Sequence, residues 1–493
     1  MFISTDFLLF IIKYMWLFIV KSRFMCNFAP FFLREIYKIS EMSVKMKGRK
    51  IMLSLGMLMA CALGMEAQEV NGGSEGTMNL TLAKAIEIAL AENPTIHVAD
   101  KEIELKKIAD TEAWQALLPS VDATLSLTDN ILVAEMVTGM GKFKMGVDGT
   151  LTAVGNATLS LPVFAPAVYQ NMKLTKQDIL LAQEKSRGSR LDLINQVTKA
   201  YYSALLSSDS YEVMKRSYNV ALDNFNVVNE KYKVGRVSEY DKISAEVQAR
   251  NLNAAMVNGE TGKALALLQL KVLMGVTADV NIAIDDSLKA YENKLTLAET
   301  EVLTEELDNN SSLRQLDQNM LLLERSQKIL RTGFMPTVAL QLTGQYQSYA
   351  NNNWNVFNYH FSPSSTLSIA VNIPIFHASN WTKLKSNKIQ IAQLEDNRLN
   401  ARRQLLLATE SYRKNMQSSM VQMASNAEAV KQAEKAVMIA GKRYEVGRGT
   451  ILELNQSEIA QTQAELTYVQ SIYDYLKNKA DLDYTLGRET YLK

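Results

Sequence analysis

The sequence predicts a mainly α-helical chain that also carries four β-strands, each with one apolar and one polar face. Three observations support this fold class. Two proline-free stretches are long enough for helices of about 100 Å, four segments alternate apolar and polar residues, and both features occur twice. We therefore expect two copies of one plan: helix, strand, strand, long helix, helix.

The internal repeat is defined by landmarks that recur at one displacement of 212 positions: Pro162 as Pro374, Gly235 as Gly447, and Gly275 as Gly487. This period is far longer than that of ordinary solenoid repeats. The landmarks predict two repeats, at residues 80–285 and 298–493.

The residues before the first repeat resemble a secretory signal peptide. A basic region at 47–50 precedes an apolar region at 51–63 and an imperfect small-residue cleavage site before Gln68. The sequence therefore predicts a signal peptide at 46–67, with Met46 as the start and residues 1–45 absent from the mature protein. The alternative is that the apolar stretch from Phe7 to Val20 is a genuine N-terminal anchor.

Both cysteines, Cys26 and Cys61, lie in this N-terminal region. A chain cleaved before Gln68 therefore has no thiol for a disulfide or a cysteine metal site. In the alternative interpretation, residues 58–61 are a lipoprotein-processing sequence and Cys61 becomes an acylated N-terminus.

Helices of half length are predicted before the strands, at about 82–115 and 300–333, and after the first glycine landmark of each repeat, at about 238–274 and 450–486. The long helices are predicted at 167–234 and 377–446. Because two half-length helices together equal one long helix, we expect them to stack end to end beside it. In the second long helix, apolar residues spaced by seven predict a coiled-coil seam: Met416, Met423, Val430, Val437 and Tyr444.

The four strands are predicted at 121–128, 150–161, 337–346 and 366–373, where apolar residues alternate with uncharged polar ones. Segments of about ten such residues are typical of a transmembrane barrel, with the apolar face toward lipid. A soluble antiparallel sheet has the same alternation. Helices too long for a compact core favour the membrane interpretation.

Charge and motif content exclude several function classes. Lys and Arg number 53 against 52 Asp and Glu, so the excess of basic residues that nucleic-acid binding needs is missing. His97, His360 and His377 fall in different predicted elements, and we recognise no catalytic triad, phosphate loop or metal-ligand spacing. The sequence predicts neither an enzyme nor a cofactor.

In order and in duplicate, these landmarks resemble the TolC-type outer-membrane efflux protein family. The resemblance is carried by L-x-x-A-I-x-x-A-L-x-x-N-P-x-I from Leu82 to Ile96, Leu118-Pro119-Ser120, two Pro-aliphatic-Phe sequences, two Y-x-x-G-R sequences and the final glycines. It implies an outer-membrane homotrimer in contact with lipid, in which four strands per protomer form a twelve-stranded barrel and the helices form a periplasmic α-barrel.

The resemblance also implies a passive function. The chain would be an exit duct that receives substrates from a periplasmic adaptor protein and an inner-membrane transporter. The alternative is a periplasmic coiled-coil scaffold without a pore, and the four alternating strands argue against it.

The predicted functional site is the pair of helical hairpin tips, where Gly235 and Gly447 end the long helices and reverse the chain. In the family these tips line the periplasmic entrance, which a ring of acids and a tyrosine-centred polar network hold shut. By resemblance, Tyr444 is the network tyrosine and Glu453 the first acid of the ring. Gln456 stands where the second acid would be.

The network arginine position holds Gly449, with Arg448 adjacent, so the resemblance implies a weaker acid ring and an altered latch. Tyr232, Arg236 and Asp241 occupy comparable positions in the first repeat. The alternative is that these charges only cap and solvate two hairpins.

Pro162 and Pro374 are predicted at the junction between barrel and long helix. Proline suits a first helical turn because the donor it lacks is unpaired there. Ordinary helix starts at these prolines would give the same fold.

Overall fold

The fold is that of a computed structural model, which describes residues 78–139, 141–144, 146–292, 304–351, 354–355 and 359–488. The predicted signal peptide at 46–67 and the preceding residues 1–45 lie outside these described residues, as does Cys61.

The first half of the described chain follows the predicted order. Its elements are β1 (Met78–Asn79), α1 (Leu82–Glu92), α2 (Pro94–Gln115), β2 (Ser120–Asn130), β3 (Glu135–Thr138), β4 (Gly141–Lys144), β5 (Thr150–Phe164), α3 (Pro166–Lys233) and α4 (Glu239–Met274). A connecting segment with β6 (Ile282–Ala283) and α5 (Leu288–Glu292) follows.

The second half repeats this order. A 3₁₀ helix (Thr304–Asn309) precedes α6 (Ser311–Thr332), β7 (Thr337–Asn351), β8 (Ser362–Asn372), α7 (Ala378–Glu445) and α8 (Ile451–Thr485). The two long helices, α3 and α7, have 68 residues each and so extend about 100 Å. The predicted mainly helical fold with four principal strands is confirmed.

The four strands form one antiparallel sheet in the order β2-β5-β7-β8. Its register places apolar residues in one row across the strands: Val121, Leu159, Leu342 and Leu367. The neighbouring row is polar: Ser120, Ser160, Gln341 and Ser368. Because side chains alternate between faces, the sheet has one apolar and one polar face.

The helices lie in the same order as the strands that they continue. α3 packs against α2 and α4 on one side and against α6 and α8 on the other, and α7 packs against α6 and α8. The protomer is thus a strip of four helical columns, with α2 and α4 at one edge and α7 at the opposite edge. Within the part of the chain that the structure describes, no helix has the length and apolarity of a bilayer span.

The helices predicted at 82–115 and 300–333 are not continuous, which corrects the prediction. Asn93 is extended before Pro94 and separates α1 from α2, and Asn310 separates the 3₁₀ helix from α6. A residue before proline is disfavoured in the helical region, and each Asn side chain caps the helix that follows.

The same asparagines join the half-length helices end to end. Asn93 Nδ2 donates to Leu273 O at 2.8 Å, and Asn310 Nδ2 donates to Thr485 O at 2.8 Å. The pairs α2–α4 and α6–α8 therefore each form one column beside a long helix, as the helix lengths predicted.

The seven-residue seam on α7 faces α8. Met416 and Met423 are buried, and Val430 and Tyr444 are partly buried against the same core. The predicted coiled-coil packing between these helices is therefore observed.

Candidate functional site: the hairpin tips

Both hairpins reverse through the same backbone turn. Gly235 has φ of 70° and Gly447 has φ of 75°, a region that side chains with a Cβ rarely adopt. The N–H of each glycine bonds to a carbonyl three residues back, and the N–H of the following arginine, Arg236 or Arg448, bonds to one five residues back. This is the Schellman motif that ends helices.

Caps on the returning helices fix the start of each. Ser238 and Asp241 form a capping box at the start of α4, with Asp241 Oδ2 accepting from Ser238 N at 3.2 Å. Thr450 accepts from Glu453 N at 3.2 Å at the start of α8. Asp241 and Glu453 therefore occupy equivalent positions in the first turn of their helices, where negative charge is stabilised by the helix dipole.

A small apolar cluster joins the two hairpins near the tips. We call it the tip cluster: Val228, Ala245, Ile451 and Leu454, all buried. It brings residues of α3, α4 and α8 together, and Tyr444 of α7 packs against it. The two tips are thus held side by side within one protomer.

Tyr444 is placed between the hairpins with its hydroxyl unsatisfied. The oxygen is buried and has no hydrogen-bond partner among the described residues. Lys231 Nζ of the other hairpin lies 5.4 Å from its ring centroid. Burial and the nearby Asp241 carboxylate raise the pKa of this hydroxyl. A buried unpartnered hydroxyl costs about 1–3 kcal/mol, so this position is held by packing between the hairpins and not by a hydrogen bond within the described residues.

Most of the other predicted tip residues lie on the surface, and Tyr232 is half-buried. Glu453 Oε2 is 3.7 Å from Arg443 Nη1 in an exposed ion pair within the α7–α8 hairpin. Gln456, Arg236 and Arg448 are exposed. Tyr232 lies on the first hairpin, where Lys242 Nζ is 5.0 Å from its ring centroid. The structure brings Tyr444 near Asp241 but leaves Arg448 and Gln456 facing solvent.

Sequence reasoning missed a polar ladder between α3 and α8, just behind the tips. Its three rungs are Asn224 with Glu458, Ser217 with Thr462, and Arg216 with Glu465. Glu458 is only 8% exposed, and burial raises the pKa of its carboxyl to about 7 against the lowering effect of the Asn224 hydrogen bond. The signal was available, since Glu458 and Glu465 are spaced by seven on a helix whose buried positions are otherwise mostly apolar.

Pro162 and Pro374 lie near the sheet-to-helix junction but not in a helical turn, which corrects that prediction. Pro162 is inside β5, and Pro166 occupies the first turn of α3. Pro374 lies between β8 and α7, which begins at Ala378 after the N-cap His377. Pro162 is tolerated in the strand because the pairing with β7 is irregular between Pro162 and Phe164.

Within the described ranges, no three His, Cys, Asp or Glu side chains form a group that could hold a metal ion. The tips thus present paired turns, an apolar joint, a tyrosine whose hydroxyl has no hydrogen-bond partner in the described part of the chain, and exposed acids.

Comparisons with known proteins agree with this geometry. The chain is 22% identical over 419 residues to the cobalt-zinc-cadmium resistance protein CzcC of Cupriavidus metallidurans, covering 83% of this chain and 90% of that protein. It is 22% identical over 422 residues to the alkaline protease secretion protein AprF of Pseudomonas aeruginosa, covering 84% and 85%.

The fold matches the crystal structure of the Campylobacter jejuni CmeC outer membrane channel with a TM-score of 0.67, at 16% identity, covering 85% of this chain and 90% of that one. The family model for outer membrane efflux proteins matches residues 85–276 and 302–488. Because these two segments make up most of the chain and coincide with its two structural halves, the chain belongs to the outer membrane efflux protein family.

Proposed function

We propose that this outer-membrane efflux protein is a homotrimer and serves as the exit duct of a tripartite system. The observation that carries the proposal is the open four-stranded sheet. Its outer strands, β2 and β8, are exposed along their whole length in the single chain. A bilayer does not tolerate such unpaired edges, because each unsatisfied backbone group there costs several kcal/mol.

Closure with further copies removes the edges. Three copies pair β8 of one protomer with β2 of the next and give twelve strands, within the range of closed membrane barrels. The apolar face then meets lipid and the polar face lines the lumen. The trimer is supported by the family.

The helical strip supports the same closure. Exposed apolar side chains follow its two edges: Val98, Leu105, Ile108, Val257 and Leu265 on α2 and α4, and Leu399, Leu407, Val421 and Ile439 on α7. Apolar surface on this scale is typical of protein interfaces. Joining α7 of one copy to α2 and α4 of the next would cover it and close a second barrel of helices.

The hairpin tips would then surround one aperture. We place there the contact with a periplasmic adaptor protein and, through it, an inner-membrane transporter that supplies the energy. Three copies of Glu453 would form the acid ring, weakened by Gln456, and Tyr444, which packs between the two hairpins of a protomer, would help to hold neighbouring hairpins together. Gly449 stands at the family's arginine position, so we assign that role to the adjacent Arg448.

The test is channel formation by the purified full chain. We expect an SDS-resistant oligomer of three times the protomer mass that dissociates on boiling, and stepwise ion conductance in a planar bilayer. The boiled sample is the control. A monomer or a stable oligomer without conductance would instead support the periplasmic scaffold.

A further inference from the structure

A cavity opens at the junction of sheet and helices, between the start of α3 and the end of α6. It has a volume of about 290 Å³. Its apolar wall includes Phe164, Tyr169 and Met335, which are 43%, 43% and 45% exposed. Lys328 and Arg331 of α6 also line it. We call this the junction cavity.

The register shift between Pro162 and Phe164 of β5 places the Phe164 wall of the junction cavity on the apolar face of the sheet. Leu161 pairs with Leu340 on that face, and after the register shift Phe164 pairs with Val338 on the same face. Without the extra residue in β5, Phe164 would fall on the polar face, because a shift of one residue exchanges the faces of a strand. The cavity is therefore continuous with the surface that a barrel presents to lipid.

The charges at the cavity are unbalanced. Neither Lys328 nor Arg331 has a carboxylate within ion-pair distance among the residues that the structure describes; Arg331 Nη2 only donates to Gln327 Oε1 at 3.3 Å. The two cations are one helical turn apart, so both reach the same rim. An apolar pocket with a cationic rim is complementary to an acyl chain joined to a phosphate.

The level of the cavity is that of a membrane interface. Large aromatic side chains are exposed where strands and helices meet: Trp114 at 50%, Phe376 at 75% and Trp381 at 64%. Aromatic belts of this kind lie at headgroup depth. A second copy of the chain would not cover the cavity, because α3 and α6 are the central columns of the strip and the open edges belong to α2, α4 and α7.

We propose that the junction cavity binds one phospholipid of the periplasmic leaflet, with its phosphate on Lys328 and Arg331 and the upper part of an acyl chain against Phe164, Tyr169 and Met335. The orientation of this site toward lipid rests on the proposed barrel. The cavity itself lies within one chain.

The experiment is native mass spectrometry of the delipidated full-length protein, titrated with dioleoyl phosphatidylglycerol in mixed micelles. We expect saturation at one lipid per chain. Lys328→Gln with Arg331→Gln should weaken binding about tenfold or more, and Lys328→Arg should retain it. Gln170→Trp, which fills the cavity while keeping both cations, should also weaken binding about tenfold or more.

The matched control is Lys173→Gln with Lys176→Gln, two exposed cations of α3 with the same spacing that do not line the cavity. If the control variant loses as much lipid binding as the cavity variant, the lipid is held by diffuse charge attraction and the proposed site is wrong. Binding that survives Gln170→Trp, or that millimolar glycerol 3-phosphate displaces, would overturn the acyl part of the proposal.

Conductance of the same samples separates this inference from the proposed function. If the oligomer conducts ions but does not bind one lipid per chain, lipid binding at the junction cavity is refuted and the proposed function stands. If the chain binds one lipid but does not conduct, the exit-duct function is refuted and the lipid site stands.

Discussion

Single residues set where the helical columns end. A Cβ on Gly487 would lie 2.4 Å from Asn309 O, and one on Gly275 would lie 2.7 Å from Glu92 O. Each glycine thus lets the end of one half-length helix touch the start of the column's other half, where an asparagine bridges them. This explains why the repeat preserves both the glycines and the asparagines.

Glu458 carries a pH dependence that can be measured. Its folded-state pKa of about 7 lies above the ordinary value of 4.5. The native state therefore holds the proton more tightly, so the free energy of unfolding falls as pH rises from about 4.5 to 7 and is level above that. Glu458→Gln should remove this dependence and stabilise the protein at pH 8 by roughly 3 kcal/mol. Thermal unfolding at pH 5 and pH 8 measures it.

Glu434→Gln, an exposed acid on α7, is the control and should leave the pH dependence unchanged. The prediction fails if Glu458→Gln and wild type lose the same stability between pH 5 and pH 8.

The candidate site could be predicted only in part, because local and nonlocal residues leave different signals. Gly235 and Gly447 need a left-handed turn, which the chain encodes locally. The partner of Glu458, Asn224, lies on a distant helix and is set by the pairing of α3 with α8. A single sequence shows that an acid lies at a position of seven-residue spacing, but it does not show which side chain forms a hydrogen bond with that acid.

At the scale of elements, the two faces of the sheet predict different effects for arginine substitutions at neighbouring positions. Leu342 lies on the apolar face between Leu159 and Leu367, and Gln341 lies beside it on the polar face. Leu342→Arg should cost roughly 2–4 kcal/mol at mid-depth in the bilayer and reduce the yield of membrane-inserted oligomer. Gln341→Arg should assemble normally, because its side chain lies on the polar face, which the proposed barrel turns toward the lumen.

The yield of SDS-resistant oligomer from membranes compares the two variants directly. Equal defects in both would contradict the assignment of the apolar face to lipid.

The strands and helices were predictable from their periods, whereas their interruptions were not. Alternation located all four principal strands, and the absence of proline located α3 and α7. The break at Asn93 was missed because residues 82–115 keep helical periodicity on both sides of Pro94. The extra residue in β5 was missed because Pro162 and Pro166 are equally plausible helix starts until the register with β7 is known.

For the whole molecule, strands and helical columns follow the same order, so one closure operation would form both of the proposed barrels. The edge strand β8 continues into α7, and the edge strand β2 follows α2, so the protomers of the proposed trimer would meet along both barrels at once. The hairpin tips are farthest from the sheet and are joined within a protomer by the small tip cluster and the polar ladder. We therefore expect the aperture to be the part that opens at least cost.

The last prediction concerns the acid ring that we propose at that aperture. Glu453→Ala should lower the preference for cations and raise the concentration of divalent ion needed for half block, of the order of tenfold for about 1.4 kcal/mol of lost attraction. The measurement is conductance in a planar bilayer, with divalent ion titrated on the periplasmic side. Glu428→Ala is the matched control, since Glu428 is also exposed and ion-paired, with Lys431 at 3.6 Å on the same helix.

The same bilayer measurement tests the proposed latch, which consists of Tyr444 and Arg448, independently of the acid ring. Tyr444→Phe with Arg448→Ser should raise conductance by loosening the tips while leaving divalent block in place, because Glu453 remains. Within one protomer the Tyr444 hydroxyl has no hydrogen-bond partner among the described residues, so the two single variants, measured beside the pair, assign any change in conductance to the tyrosine or to the arginine. If conductance is unchanged in the double variant, Tyr444 and Arg448 serve only packing and helix capping. If divalent block is unchanged in Glu453→Ala, Glu453 does not lie at the aperture.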